Sequence, residues 1–195
     1  MRSTDGGDEA ARTALAKTAG ALLAAWDGAL DAAGRPAMRV FRTRIPTPFL
    51  MACYEGDHVC DDIFTNGFRT EYALGLGSLI EELRPGIDTM IDFGANTGFF
   101  GIAAAMRDVR VLAVEPANAG VCRLNAFLIN GLSPLYELHE VALVLTPGQD
   151  PLTQTVPWAN LGGSTFVKKE ETTNWTALFN EDQPHRDVVM ATVHD

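Results

Sequence analysis

The chain has 195 residues, 47% of them apolar, and a formal charge of −10. That length and apolar content suit one buried core with an appendage, and they exclude disorder as the default state. The acidity argues against a broad grip on a nucleic-acid backbone, which needs clustered Lys and Arg, so small molecules are the expected ligands.

From Glu9 to Ala33 the sequence is rich in Ala and Leu, and Leu15, Leu22, Leu23, Trp26 and Leu30 fall near helical spacing before Gly34 and Pro36 end the run. The spacing predicts an N-terminal amphipathic helix whose apolar stripe covers the main body or a partner copy. Lys and Arg do not line its polar face, so a membrane-surface role is not expected. Pro36 to Asp62 has short apolar runs broken by Pro46 and Pro48, a pattern for short edge strands or an extended wrap. Thr70 to Leu83 reads as a helix stopped by Pro85-Gly86.

Met90, Ile91 and Phe93 then form a short apolar strand, followed by a glycine-punctuated turn and a helix from about Thr97 to Met106. Val109 to Val114 reads as a second strand ending in Glu115-Pro116. Asn118 is placed to cap a helix running to Asn130-Gly131, and Tyr136 to Leu145 reads as a third strand. This alternation predicts an α/β fold with a parallel sheet and helical crossovers. Beyond Thr146-Pro147-Gly148 the pattern weakens, with a hairpin expected around Leu161 to Val167 and one more strand at Val188 to Val193. Three segments result: a helical extension over 1–36, a wrap and helix over 37–86, and a ligand-binding unit over 87–195.

A parallel sheet binds ligands beyond the carboxyl ends of its strands, so the loop Gly94 to Gly98 and Glu115 are expected to face one crevice. Glycines let backbone approach a ligand closely, and an acidic side chain about 20 residues onward can accept hydrogen bonds from both ribose hydroxyls. A dinucleotide loop normally carries GxGxxG; here the middle glycine is missing and Asp92 stands two residues before Gly94. A carboxylate there favours the ammonium and sulfonium groups of S-adenosylmethionine. Taken singly, an Asp-x-Gly turn can be simple loop chemistry and Glu115-Pro116 simple strand termination. Their joint spacing on consecutive strand ends points to a nucleoside cofactor.

The run Met90-Ile91-Asp92-Phe93-Gly94-Ala95-Asn96-Thr97-Gly98-Phe99-Phe100, with Val114-Glu115-Pro116, Leu124-Asn125 and Asn130-Gly131-Leu132, resembles the FkbM-type family of class I methyltransferases. Glu140-Val141-Ala142-Leu143 and Gly162-Gly163-Ser164 extend the resemblance over roughly Tyr72 to Asp195. It implies a Rossmann-like class I sheet and methyl transfer from S-adenosylmethionine to a hydroxyl of a small natural product or saccharide. It also implies that Asp92, Gly94, Ala95, Asn96 and Gly98 hold the methionyl part, Glu115 and Pro116 the ribose side, and Glu140 with Val141 the adenine edge. Thr192-Val193-His194-Asp195 resembles a family segment that precedes a further central strand. The expectation is a sheet truncated after its third core strand and a hairpin, with an open apolar edge that a second copy or the N-terminal helix covers.

No catalytic base is identifiable. His58, His139, His185 and His194 lack metal-ligand spacing, and with His139 in a predicted strand and His185 in a polar loop, solvated or satisfied histidines are expected; no metal site is predicted. Trp158 and Trp175 are expected to pack locally, Glu71 to start a helix, and Tyr72 to fill core. Cys53, Cys60 and Cys122 show no CxxC spacing and read as buried or idle thiols, and no apolar run reaches the roughly 18 residues a membrane span needs. Both points imply a reduced, cytoplasmic protein. The competing functions are a noncatalytic cofactor-binding remnant and an NAD-dependent oxidoreductase, the latter requiring a tighter glycine pattern.

Overall fold

The computed structural model describes residues 5–26, 37–82, 86–144, 152–155, 165–168, 185–187 and 190–192. Helix α1 (Asp5–Trp26) leads into a hairpin of β1 (Met38–Arg42) and β2 (Leu50–Tyr54), antiparallel with Val40 opposite Ala52. The short strands expected between Pro36 and Asp62 are this hairpin. Leu15, Ala16 and Ala19 of α1 pack with Val40, Ala52, Tyr54, Val121 and Leu124, so the described part of the N-terminal helix lies against the hairpin.

Helix α2 (His58–Asn66) starts at Asp57, whose carboxylate accepts the Cys60 N–H at 2.9 Å, and stops at Gly67 in the left-handed conformation. The helical run from Thr70 contains a π-helical turn, Tyr72–Leu76, kinked at Gly75, before α3 (Gly77–Glu82). Tyr72 is buried core, as expected. Its hydroxyl donates to Glu81, which also takes the Arg107 guanidinium, and its ring meets Phe99 edge to face.

The parallel sheet is β3 (Thr89–Phe93), β4 (Arg110–Val114) and β5 (Tyr136–His139), in that order, with α4 (Phe99–Ala105) crossing between the first two. Met90, Val111 and Tyr136 share one register row, and Asp92, Ala113 and Leu138 share the row two residues further on. Alternation along β3 turns Met90 toward the core while Ile91 and Phe93 remain 56% and 67% exposed. The third strand ends earlier than its apolar run suggests. Glu140 and Val141 interrupt it, and β6 (Ala142–Val144) pairs in parallel with a late strand instead of extending β5.

That late strand is β10 (Met190–Thr192), within the strand expected at 188–193. The expected hairpin is β7 (Leu152–Thr155) with β8 (Thr165–Lys168), and β9 (His185–Asp187) pairs with β7 on its other side. His185 therefore begins a strand and does not lie in a loop, as the polar residues around it suggest. The turn 162–164, Trp158, Trp175, Leu145 and His194 lie outside the described residues.

The crossover after β4 is α5 (Ala119–Arg123), continued by a π-helical turn at Leu124–Ile129. The wide turn places Asn125 and Asn130, five residues apart, on one face. Alternate backbone groups of a strand repeat every ~6.7 Å, and the two side-chain amides meet those of β2. Asn125 accepts from Ala52 N–H at 2.7 Å and donates to Ala52 C=O at 3.0 Å; Asn130 does the same with Leu50 at 3.2 and 2.8 Å. Hairpin and parallel sheet thus share one core, running from Phe41 and Met51 through Phe99 and Ile102 to Tyr136.

Cys53 and Cys60 form a disulfide, Cα to Cα 5.4 Å, between the end of β2 and the first turn of α2, whereas Cys122 is free and buried. Two of the three cysteines are therefore not idle thiols, and cysteine usage no longer argues for a reducing compartment. Among the described residues no helix is long and apolar enough to cross a membrane.

Candidate functional site

The loop after β3 is shaped by backbone that few side chains tolerate. Gly94, Asn96 and Gly98 have φ of 79°, 53° and 86°. Gly94 and Ala95 both donate to the Val114 carbonyl, at 2.8 and 3.2 Å, which lays the loop across the carboxyl end of β4. The two glycines serve different ends. A Cβ on Gly94 would meet nothing within 4 Å, so this glycine leaves its backbone open. A Cβ on Gly98 would lie 3.0 Å from Cys122 Sγ and 3.2 Å from Ile102 Cδ1, so packing beneath the loop demands this glycine.

Glu115 begins the turn after β4 and is 4% exposed. Its carboxylate is already engaged: Oε2 accepts the Asn96 N–H at 2.7 Å, and Oε1 accepts the N–H groups of Ala117 and Asn118 at 2.6 and 2.8 Å. The side chain joins two loops and tethers the amides that precede α5. Asn118 occupies the N-cap position, yet its side chain does not cap; Nδ2 donates to Asn96 Oδ1 at 2.5 Å. Glu115 instead holds the N–H groups of Ala117 and Asn118 just ahead of the helix, charge-assisted contacts stronger than a neutral amide would make.

Asp92 lies below the loop. One oxygen accepts the Gly101 N–H, and buried Oδ2 has no hydrogen-bond partner among the described residues. Burial holds its carboxyl above the ordinary carboxylate value, opposed by the Gly101 hydrogen bond and reinforced by the charge of Glu115. Nearby, Cys122 Sγ and the Tyr136 hydroxyl are 3.2 Å apart, and burial pushes the Cys122 thiol up to about 12. A groove of about 550 Å³ borders Asp92 beside β3, which has β4 as its one partner among the described strands, and is lined by Leu76, Leu79, Ile80, Ile91, Phe93 and Phe100. A second cavity, of about 460 Å³, lies at the opposite end of the sheet beside Thr89, Arg110 and Ser133.

Of the residues singled out in the sequence, Gly94, Ala95, Asn96, Gly98, Glu115 and Pro116 gather at the carboxyl ends of β3 and β4, with Asp92 behind them. Ala95 is 6% exposed and contributes its methyl to the core. Glu140 is ion-paired with Arg123, and Val141 lies in the gap between β5 and β6. His139 ends β5 with its ring 2.9 Å from the Glu137 carboxylate, the satisfied histidine expected. Among the described residues no cluster of His, Cys, Asp and Glu is arranged to hold a metal ion.

Asn125 acquires a role that its place in a motif did not disclose. It is fully buried, and besides holding β2 it donates to the Thr97 carbonyl at 3.0 Å, bracing the loop from behind. Its signal in the sequence is the second asparagine five residues later. No protein-family model matches the chain, and no curated protein matches it.

Proposed function

We propose that this chain binds S-adenosylmethionine at the carboxyl ends of β3 and β4, within a Rossmann-like class I methyltransferase sheet. The reaction served is methyl transfer to a hydroxyl oxygen of a small natural product or sugar. The observation that carries the reading is the junction of the Gly94–Gly98 loop with Glu115 through the Asn96 N–H at 2.7 Å. That junction lies where open parallel sheets take nucleoside ligands.

The donor set suits the cofactor's charge. Asp92 Oδ2 is a buried acceptor without a partner among the described residues, and a cationic ligand relieves such an oxygen whereas an anionic one aggravates it. Glu115 retains acceptor capacity on Oε2, which fits a ribose hydroxyl. Gly94 leaves open backbone at the crevice. When bound, S-adenosylmethionine supplies a methyl group on a positively charged sulfur.

The chain's own part is alignment and electrostatics, the main requirements of an in-line displacement. Asp92 supplies negative charge beside the reacting centre, and Glu115 orients the ribose through the braced loop. The acceptor class rests on the resemblance to FkbM-type enzymes. No residue is assigned as the base; His139, at the end of β5, pairs with Glu137.

Calorimetric titration of the full chain with S-adenosylmethionine and, separately, with NADH tests the reading. Heat with the first and none with the second is expected. Preference for the dinucleotide would overturn it in favour of an oxidoreductase.

A further inference from the structure

Ionised carboxylates offer about four acceptor positions, two on each oxygen. In Glu115 the backbone fills three: Oε1 takes Ala117 and Asn118, and Oε2 takes Asn96. The side chain is 4% exposed, so rotation cannot bring Oε1 into the crevice without releasing the turn before α5. Among the described residues, what remains is one acceptor position on Oε2.

That single vacancy depends on Asn96 staying where it is. Its φ of 53° lies in the left-handed region, which a non-glycine residue holds only when its surroundings compensate. The compensation is visible: Asn118 Nδ2 grips Asn96 Oδ1 at 2.5 Å, and Asn118 is itself 6% exposed. With the grip intact, the Asn96 N–H occupies half of Oε2. Without it, the N–H is free to leave and Oε2 regains its second position.

We infer that Glu115 receives one ribose hydroxyl, not two, and that Asn118, acting through Asn96, is the positioning residue that sets this selectivity. The inference rests on the nucleoside-cofactor reading above. It changes the role that sequence assigns to both residues, Glu115 from a two-hydroxyl acceptor and Asn118 from a helix cap.

The test compares three probes on the full chain by calorimetry: S-adenosylhomocysteine and its 2′-deoxy and 3′-deoxy analogues. In the wild type one deoxy analogue binds about tenfold more weakly than the other, the scale of one hydrogen bond to a charged acceptor. In Asn118→Ala the two analogues bind within about twofold of each other, because Oε2 then takes both hydroxyls or neither. Asn96→Gly removes the same grip while suiting the left-handed backbone, so it folds and shows the same collapse of the ratio.

A purely structural role for Asn118 would weaken all three probes in proportion and leave the ratio unchanged; that result overturns the positioning role. Equal binding of the two analogues by the wild type overturns the single-hydroxyl assignment while the cofactor reading stands. No binding of S-adenosylhomocysteine by the wild type overturns both.

Discussion

Replacing Asp92 with Asn separates what this carboxylate costs the fold from what it gives the ligand. Among the described residues Oδ2 is buried without a partner, and an ionised oxygen so placed costs on the order of 3 kcal/mol or more in lost hydration. Asn retains an oxygen for the Gly101 N–H and removes both the charge and its repulsion with Glu115. The amide Nδ2 also lacks an acceptor there, which reduces the net stabilisation to about 1 kcal/mol at pH 8. For a chain of 195 residues this raises Tm by about 2–4 °C.

The pH dependence follows from the direction of the shift. A carboxyl whose folded pKa stands above its unfolded value near 3.8 favours the fold while protonated, and loses that contribution as pH rises through the folded pKa. The advantage of Asn over Asp is therefore smallest at pH 4 and grows toward pH 8. Thermal melts at both pH values measure it, and S-adenosylmethionine affinity falls at least about tenfold in the same variant. A variant less stable than wild type at pH 8 would refute the reasoning, because it would make the Asp92 carboxylate a structural acceptor.

Three further outcomes follow from the packing around the site. Asn125→Ala removes three buried hydrogen bonds to Ala52 and Thr97, a loss of about 3 kcal/mol in urea unfolding, and a loss under 1 kcal/mol would show that water replaces them. Gly98→Ala costs about 2–3 kcal/mol because backbone strain adds to contact with Cys122 and Ile102, whereas Gly94→Ala has only the strain and costs about 1; equal costs contradict the packing argument. Thiol titration finds no reactive cysteine in the native chain, one after denaturation without reductant, and three after reduction. A second reactive thiol before reduction would remove the Cys53–Cys60 bridge.

The central strands were legible because they depend on local chemistry. Apolar runs at 90–93 and 109–114 begin and end within a residue of the observed strands, each closed by a turn-forming sequence. The break at Glu140–Val141 was not, since Tyr136 to Leu145 reads in sequence as one strand and only the partner of β6, some 50 residues later, separates it from β5. The disulfide was missed for a related reason. A spacing rule tests neighbours in the chain, and Cys53 meets Cys60 because a turn at Gly56 and the cap at Asp57 fold α2 back onto β2.

The site shows the same division. Its composition was readable: glycines where backbone must bend, and carboxylates at two strand ends. Its valence was not. How many N–H groups converge on Glu115 is fixed by the left-handed turn at Asn96 and by Asn118 reaching back across the crevice. Sequence identifies an acceptor, but the number of hydrogen bonds left for a ligand is the capacity of the carboxylate less what the fold has consumed. For Glu115 that difference is one. On the proposed nucleoside-cofactor reading, substitutions at Asn96 or Asn118 are expected to change which nucleoside is preferred before they change whether one binds.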